Sequence, residues 1–264
     1  MKGYEKFKKN ILRLTGLNLS FYKEKQMKRR IESLIKRNDH TSYSSYFKAL
    51  KDDKELFDEF INYLTINVSE FYRNPKQWNV LRSKILPKIL ENNRSPKFWS
   101  AACSTGEEPY TLVMVLSEFI SLRKINVLAV DIDQEAINKA KNGIYSEKSL
   151  KNLPKKFQKK YFEKMGRSYK ISDKIKKCVN FKEMNLLEDR YPSNNDLIIC
   201  RNVMIYFTEE AKNKMYQKFS EALTSTGRLF VGSTEQIITP KKFNLESHNT
   251  FFYKKINKWL NKTI

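Results

Sequence analysis

The residues most suited to chemistry lie in one stretch near the middle of the chain, FWSAACSTGEEPY. An apolar run ends in the small-residue loop 102–106, and two carboxylates, Glu107 and Glu108, follow where a helix is predicted to begin. Small residues after a strand let a ligand approach the backbone, and the carboxyl ends of parallel strands form the usual ligand crevice of an open α/β sheet. This stretch therefore predicts a cofactor site.

The same loop indicates the charge of the ligand. It lacks the full GxGxxG that a dinucleotide pyrophosphate needs for close backbone contacts. A helix dipole stabilises Glu107 and Glu108 at a helix start, but they would repel phosphate and suit a cationic or zwitterionic ligand. S-adenosylmethionine, which carries a sulfonium and an amino group, fits better. On residue types alone, the two glutamates could also serve only as helix caps.

Two further stretches place polar side chains after apolar runs. In VLAVDIDQEAINKAK the predicted strand ends at Asp131, about 25 residues after the loop, where a carboxylate can bridge ribose hydroxyls. Asp133 fits better as the N-cap of the next helix. DLIICRNVMIYF brings Arg201, Asn202 and Tyr206 to the same edge, where they suit cofactor or substrate contacts, although Arg201 could instead form a structural salt bridge.

The hydrophobic pattern predicts the elements that position these residues. From residue 4 to about 90, apolar residues recur at helical spacing, which predicts a helical N-terminal module. From residue 97, short apolar runs alternate with amphipathic stretches, as in a parallel sheet covered on both faces. Segment 161–177 breaks this rhythm and is interpreted as a small β excursion. Strands are predicted at 97–101, 126–130, 179–183, 196–200 and 228–232, and helices at 109–122, 134–142 and 209–223.

Composition narrows the class of protein. The chain of 264 residues is long enough for an α/β domain with a small helical one. Its three cysteines form no CxxC pair and its two histidines no metal-ligand pattern, so we expect neither metal nor disulfide, and a cytoplasmic setting. We expect no membrane span and no signal segment. The net charge of +22 would attract nucleic acid, anionic membrane or an acidic protein, but a general lysine bias explains it equally well.

Six pieces of the chain, in this order and at these spacings, resemble the CheR-type chemotaxis receptor glutamate O-methyltransferases. The resemblance covers about residues 4 to 255 and implies a doubly wound, Rossmann-like α/β methyltransferase domain with a small N-terminal all-helical domain and a short β subdomain insertion. We place the two domains at 1–75 and 76–264, with the β subdomain at about 161–178. The six pieces are NVSEFYRNPKQW, FWSAACSTGEEPY, VDIDQEAINKAKNGIY, NLL, CRNVMIYF and GRLFVGSTEQ.

The resemblance also implies the activity, which is S-adenosylmethionine-dependent methylation of glutamate side chains on chemoreceptors, giving methyl esters and S-adenosylhomocysteine. Arg73 and Tyr206 are expected at the reaction centre, where they would steer and orient the acceptor carboxylate. Glu108 is expected near the amino group of the cofactor, Asp131 on its ribose and the NLL piece near its adenine. The implied cofactor contacts are Asn67, Ser69, Arg73, Glu108, Asp131, Asn185, Leu186, Arg201 and Asn202.

A basic face on the predicted helix 23–37 is the expected docking surface, because the family's receptors present acidic helical bundles at their methylation regions. Apart from the resemblance, a solvated basic face is the better explanation of the pattern. We expect a monomer that acts on the cytoplasmic helical region of chemoreceptors, without nucleic acid or membrane insertion. The expected docking residues are Lys25, Lys28, Arg29, Arg30 and Lys36.

The expected chemistry needs no general base. A glutamate side chain is already ionised near pH 7, since its reference pKa is about 4.3, so the enzyme must supply alignment and exclude water. Two alternatives stay open. A nucleic-acid methyltransferase would explain the positive charge, but an NPPY-like segment and a nucleophilic cysteine arrangement are absent. A non-catalytic S-adenosylmethionine sensor would be expected to have lost pocket residues that this chain retains.

Overall fold

The chain forms two compact units in a computed structural model that describes residues 1–65, 67–91, 93 and 95–256. The first unit comprises Met1–Asn67 and Met204–Asn213, and the second contains Val68–Val203 and the chain from Lys214 onward. The expected domain boundary after residue 75 therefore falls inside the second unit. None of the described helices is long and apolar enough to span a membrane.

The first unit is helical because its apolar residues recur at helical spacing. The side chains of Phe7, Ile31, Tyr46 and Phe60 are buried in its core, where the rings of Phe7 and Phe60 meet edge to face with centroids 6.0 Å apart. The predicted N-terminal helical module is thus confirmed. Its helices are α1 (Tyr4–Thr15), α2 (Glu24–Arg37), α3 (Tyr43–Asp52) and α4 (Lys54–Thr65).

The second unit contains the remaining helices, which connect the strands of a mixed α/β domain. The segment from Pro75 to Glu91 changes from α-helical to π-helical geometry at Leu81–Ile85 and back again. The last helix among the described residues, at Glu209–Ala222, starts in the returning segment of the first unit. The helices are α5 (Pro75–Val80), α6 (Leu86–Glu91), α7 (Glu107–Leu116), α8 (Gln134–Asn142), α9 (Lys155–Tyr161), α10 (Asp173–Lys176) and α11 (Glu209–Ala222).

Ten strands form two sheets in the second unit. The larger sheet has the order β6-β2-β1-β7-β8-β10-β9; its first five strands pair in parallel, and β10 and β9 add an antiparallel edge. All six residues of β7 are buried, as expected for a central strand covered on both faces. The strands are β1 (Phe98–Ala101), β2 (Val127–Asp131), β3 (Ile144–Ser146), β4 (Phe162–Met165), β5 (Ser168–Ile171), β6 (Val179–Glu183), β7 (Asn195–Cys200), β8 (Leu223–Val231), β9 (Leu245–Asn249) and β10 (Phe252–Lys255).

The smaller sheet is antiparallel, with the order β3-β5-β4. Gly166, at a φ of 58°, makes the tight turn between β4 and β5. Phe162 at the start of β4 contacts Phe71 edge to face, with ring centroids 5.1 Å apart. The β excursion interpreted at 161–177 holds two of these strands, while β3 comes earlier in the chain.

The predicted fold class is confirmed, and each of the five predicted strands is present. The bounds of β6 are as predicted, those of β1, β2 and β7 differ by one residue, and β8 begins five residues earlier than predicted, at Leu223. The helix predicted at 109–122 begins earlier and ends at Leu116, before the polar residues that follow it. Strands β9 and β10 were not predicted. Their sequences are LESHN and FYKK. In the edge strand β9 only Leu245 is buried, and β10, which lies between β8 and β9, buries only Phe252 and Tyr253, so neither strand carries the longer apolar run by which the other strands were predicted.

Candidate cofactor and active site

The carboxyl ends of five parallel strands meet at one edge of the larger sheet. Because β6, β2, β1, β7 and β8 are parallel neighbours, the segments that leave them lie side by side. These segments are 184–186, 132–133, 102–106, 201–202 and 232–235. They contain four of the ten predicted catalytic and cofactor residues, Asn185, Leu186, Arg201 and Asn202, and two more, Asp131 and Glu108, directly adjoin them.

The loop after β1 has an unusual backbone that holds it in one shape. Ala102, Ser104 and Gly106 all have positive φ values, of 65°, 47° and 93°. A Cβ on Gly106 would lie 2.8 Å from the Cβ of Ala140, so only glycine fits there. Tyr145 donates from its hydroxyl to the carbonyl of Thr105 at 2.8 Å, which fixes the loop from outside.

Asp131 connects this loop to the end of β2. Its Oδ2 accepts the Ser104 N–H at 2.7 Å, and its Oδ1 accepts the Asp133 N–H at 3.0 Å. Burial raises the pKa of Asp131 to about 6, although the backbone N–H donors oppose the rise. The Ile132 N–H is a third backbone donor to this carboxylate. A carboxylate has about four acceptor positions, so one is left that a ribose hydroxyl could use. Asp133 caps α8 by accepting the Ala136 N–H, as predicted.

The two glutamates at the start of α7 have different partners. Glu107 is buried, and its carboxylate accepts from the hydroxyls of Thr105, at 2.6 Å, and Ser69. Glu108 accepts from Ser100 Oγ at 2.9 Å, and its Oε2 lies 3.6 Å from Nη1 of Arg201. Burial raises the pKa of Glu108 to about 7, with Arg201 opposing the rise. Both carboxylates therefore belong to a buried polar network rather than serving only as helix caps.

Arg201 is the buried cation of this network. Its Nη2 donates to the Arg73 carbonyl at 2.8 Å and to the side-chain oxygens of Asn74 and Gln77, both at 3.0 Å. Its guanidinium carbon also lies 4.8 Å from the ring centroid of Phe230. The structural salt bridge that the sequence left open is thus present, and a direct contact of Arg201 with a cofactor stays a prediction.

Arg73 lies at the end of a segment that is held at several points. Tyr72 donates its N–H to Thr111 Oγ1 at 3.1 Å, and both Tyr72 and Asn74 have positive φ values, of 57° and 60°. The half-buried Arg73 side chain donates from Nη1 to the carbonyl of Val68 at 3.0 Å. Arg201 fixes the backbone of this residue from the other side. The Arg73 guanidinium is therefore placed by its own loop.

The remaining predicted residues of the second unit leave β7 and β6. Asn202 has a φ of 62°, and its buried Oδ1 accepts no hydrogen bond from the described residues. Asn185 accepts the Leu187 N–H at 3.0 Å, and the carbonyl of Leu186 accepts from a tyrosine hydroxyl. The N–H of Met184 bonds to the carbonyl of Asp131 at 2.9 Å, which places the NLL piece beside the end of β2.

Two predicted site residues belong to the helical unit. The side chain of Asn67 donates to Thr65 Oγ1 at 3.1 Å, and the carbonyl of Tyr206 accepts the Lys23 N–H at 2.9 Å. The expected role of Tyr206 at the reaction centre, and that of Asn67 at the cofactor, stay predictions.

The sequence reasoning missed several polar residues of the network, including Asn74, which accepts from Arg201, and Thr105, which donates to Glu107. Ser100 holds Glu108, Gln77 holds Arg201, and Glu235 accepts backbone N–H groups beside Asn202. The signal that identified Asp131, an acidic residue soon after an apolar strand, could also have identified Glu235 in GRLFVGSTEQ. No such signal existed for Gln77, because its partner lies on a strand more than a hundred residues away.

The expected docking face on α2 divides into two groups. Arg30 donates to the Tyr63 carbonyl and Lys28 lies 5.7 Å from the ring centroid of Tyr4, so both side chains contact their own unit. The other three cations are exposed and share one side of the helix, opposite its buried residues. These three, here called the α2 stripe, are Lys25, Arg29 and Lys36.

Comparison with known proteins matches both parts of the chain. Residues 67–252 match the family model described as "CheR methyltransferase, SAM binding domain", and residues 2–65 match "CheR methyltransferase, all-alpha domain". The chain is 42% identical over 253 residues to a "Chemotaxis protein methyltransferase" of Listeria monocytogenes, covering 96% of this chain and 97% of that protein. It is 36% identical to one from Borreliella burgdorferi, covering 91% and 89% of the two chains.

A solved structure of a TehB-like SAM-dependent methyltransferase from Corynebacterium glutamicum is less similar. It is 14% identical, with a TM-score of 0.38, over 69% of this chain and 94% of that one. This likeness is too low to support a conclusion.

The raised pKa of Glu108 predicts how stability depends on pH. Between its ordinary value of 4.5 and about 7, the folded protein keeps a proton that the unfolded chain has released. The free energy of unfolding therefore falls as the pH rises through this window, by up to about 1.4 kcal/mol per pH unit. Glu108→Gln removes this titration, so we expect a flatter profile in urea unfolding of the cofactor-free protein.

Glu246→Gln is the matched control, because Glu246 is a surface residue on β9 that pairs with Lys254 at 2.9 Å. We expect this variant to keep the slope of the wild type. The raised pKa of Asp131 also makes the free energy of unfolding fall with rising pH, up to about pH 6. This contribution is expected to remain in Glu108→Gln. Equal slopes above this pH in wild type and Glu108→Gln would contradict the prediction.

Proposed function

The chain belongs to the CheR methyltransferase family, and from this premise we propose that it methylates glutamate side chains of chemotaxis receptors. Family membership makes it an S-adenosylmethionine-dependent methyltransferase of the chemotaxis type. The finer proposal concerns the acceptor, a side-chain carboxylate that becomes a methyl ester. The observation that carries it is Arg73, a half-buried arginine held at the carboxyl edge of the sheet by Val68 and Arg201.

The side chains at the carboxyl edge of the sheet suit a cofactor that carries positive charge. Asp131 and Glu108 are carboxylates with little exposure to water, and Asn202 has a buried side-chain oxygen without a donor from the described residues. Such acceptors suit the ammonium and hydroxyl groups of S-adenosylmethionine. When bound, this cofactor supplies a methyl group on a positively charged sulfur. We propose that Glu108 faces its amino group, that Asp131 faces its ribose and that Leu186 lies near its adenine.

The acceptor needs orientation rather than deprotonation. A glutamate carboxylate is ionised near pH 7, so no side chain has to remove a proton. Of the two histidines in the chain, His248 lies on the edge strand β9, and the His40 ring packs against Tyr46 in the helical unit. We propose that the chain contributes alignment and the exclusion of water from the carboxylate.

Arg73 is the proposed orienting group for the acceptor carboxylate. A guanidinium presents several N–H donors in a fixed plane, which matches the two oxygens of a carboxylate. A very tight ion pair would stabilise the ionised acceptor more than the transition state, in which its negative charge is partly neutralised. The hydrogen bond from Arg73 to Val68 shares the guanidinium between protein and acceptor, which favours orientation over tight binding. Tyr206 is proposed to donate a further hydrogen bond to the acceptor.

A product assay tests the acceptor. The protein is incubated with S-adenosylmethionine labelled in the methyl group and a cytoplasmic receptor fragment, and the protein fraction is then treated with mild base. We expect labelled methanol to be released, since carboxyl methyl esters hydrolyse in base and N-methyl groups do not. Parallel reactions contain RNA, or a receptor fragment with its candidate glutamates changed to alanine. Base-stable label, or label on RNA alone, would reject glutamate as the acceptor.

Substitution of Arg73 tests its role. We expect Arg73→Ala to reduce turnover by about 10²-fold or more, because the acceptor carboxylate loses its orienting donors. Arg73→Lys keeps the charge without the planar donor pair, so it should recover only part of the rate. Turnover is measured at saturating cofactor with the receptor fragment.

Arg82→Ala is the matched control for Arg73→Ala. Arg82 is a partly exposed arginine of the same unit, and its ion pair with Glu118 at 3.5 Å lies outside the network described above. Its loss should leave the rate within about twofold of the wild type, as for most surface substitutions. A near-normal rate for a folded Arg73→Ala protein would refute the role assigned to Arg73.

Charge reversal on the α2 stripe tests the proposed docking surface for an acidic receptor helix. We expect the triple variant Lys25→Glu, Arg29→Glu and Lys36→Glu to lower kcat/KM for receptor methylation about 10-fold at low ionic strength, and less at high salt. Affinity for S-adenosylhomocysteine should not change. Arg30 is left intact because its guanidinium donates to the carbonyl of Tyr63.

The control variant carries the same change in charge on another exposed part of the helical unit, with Lys48, Lys51 and Lys54 each changed to glutamate. We expect it to retain most of the methylation rate. Equal losses in the two triple variants would mean that net charge, and not the α2 stripe, governs the rate.

A further inference from the structure

Glu235 has a buried carboxylate that contacts two backbone N–H groups. It lies in the segment after β8, and the residue is 5% exposed. One oxygen, Oε2, accepts the N–H of Asn202 at 2.6 Å and the N–H of Gly232 at 2.9 Å. The carboxylate thereby links the segments that leave the neighbouring strands β7 and β8. Charge-assisted bonds of this kind are among the stronger hydrogen bonds in proteins.

The backbone around this carboxylate is shaped to receive it. Asn202 has a φ of 62°, a left-handed conformation that costs free energy for a residue with a side chain. Gly232 has no room for a side chain, since a Cβ there would lie 2.4 Å from Oε2 of Glu235 and 3.0 Å from the N–H nitrogen of Asn202. The close approach of these two segments therefore depends on both the glycine and the carboxylate.

The conformation of Asn202 affects its neighbours at the cofactor edge. Its side-chain oxygen is buried without a donor from the described residues and can accept from a ligand, and the backbone at Asn202 fixes the point from which this side chain extends. The preceding residue, Arg201, sends its guanidinium to the backbone of Arg73 and to Glu108. Loss of the hydrogen bond at the Asn202 N–H could thus displace two groups. These are the Asn202 side chain, which is the proposed cofactor contact, and, through Arg201, the orienting residue Arg73.

We propose that Glu235 is a positioning residue for cofactor binding. By accepting the N–H groups of Asn202 and Gly232, it holds Asn202 in its left-handed conformation and so presents the Asn202 side chain to S-adenosylmethionine. This inference rests on the cofactor site described under the proposed function and is independent of which group accepts the methyl. Glu235 acts through Asn202 and does not itself contact the cofactor.

Two substitutions separate the hydrogen bonds of Glu235 from its charge. Glu235→Gln removes the charge but keeps an oxygen at the same reach, so it can still accept both N–H groups. Glu235→Asp keeps the charge but shortens the side chain by one methylene, which withdraws the oxygen from them. We therefore expect Glu235→Gln to bind S-adenosylhomocysteine within about threefold of the wild type, and Glu235→Asp to bind about 10-fold or more weakly, which corresponds to about 1.4 kcal/mol.

Affinity is measured by isothermal titration calorimetry without any acceptor, so failure of the glutamate proposal would not affect the result. Glu246→Gln and Glu246→Asp on β9 are the controls, and both should bind as the wild type does. Circular dichroism and thermal unfolding of each variant show whether the fold is intact. A loss of affinity in a folded Glu235→Asp protein, recovered in Glu235→Gln, supports the positioning role.

Two outcomes would overturn the proposal. In the first, Glu235→Asp binds S-adenosylhomocysteine as tightly as the wild type, which would mean that the two hydrogen bonds do not position the site. In the second, Glu235→Gln is as weak as Glu235→Asp, which would mean that the negative charge matters and not the accepting oxygen.

Discussion

The site depends on one buried arginine and the partners that make its burial tolerable. A guanidinium removed from water is costly unless acceptors surround it. Arg201 receives a carboxylate from Glu108, a carbonyl from Arg73 and side-chain oxygens from Asn74 and Gln77. These partners lie in the segment 73–77 and at the start of α7, and Arg201 itself follows β7, so the single cation holds three separate segments together. Removal of any one partner would leave the charge less compensated.

The carboxylates at the carboxyl edge of the sheet show the same balance between the cost of burying a charge and the partners that stabilise it, here for negative charges. Burial raises the pKa of Glu108 to about 7 and that of Asp131 to about 6, while Arg201 favours ionised Glu108 and the backbone N–H donors favour ionised Asp131. At a pH close to these pKa values, a nearby positive charge is enough to shift each acid to its ionised form. A cationic ligand would supply that charge, which gives a physical reason for acidic residues where a phosphate-binding loop would have none.

Structural and functional roles overlap in these residues. Asp131 holds the loop after β1 through the Ser104 N–H, and its three backbone donors leave one acceptor position for a ligand. Glu235 holds the turn at Asn202 in a similar way. A substitution at either position would remove a hydrogen bond of the fold together with a feature of the site. Activity alone therefore does not distinguish the two effects, whereas ligand affinity measured beside thermal stability does.

The sequence by itself determined the parallel sheet and the helical module, because the spacing of hydrophobic residues is a local property of the chain. It also determined that polar residues gather at the carboxyl edge of the sheet, because they directly follow the apolar strands in sequence. It also placed Asp131 at a strand end and Asp133 at a helix cap. Only the tertiary structure decided what Arg201 and Glu108 contact, since Gln77, Asn74 and Ser100 are brought to them by packing. The strands β9 and β10 and the contact of Arg30 with the Tyr63 carbonyl likewise depend on neighbours distant in sequence, which no local pattern encodes.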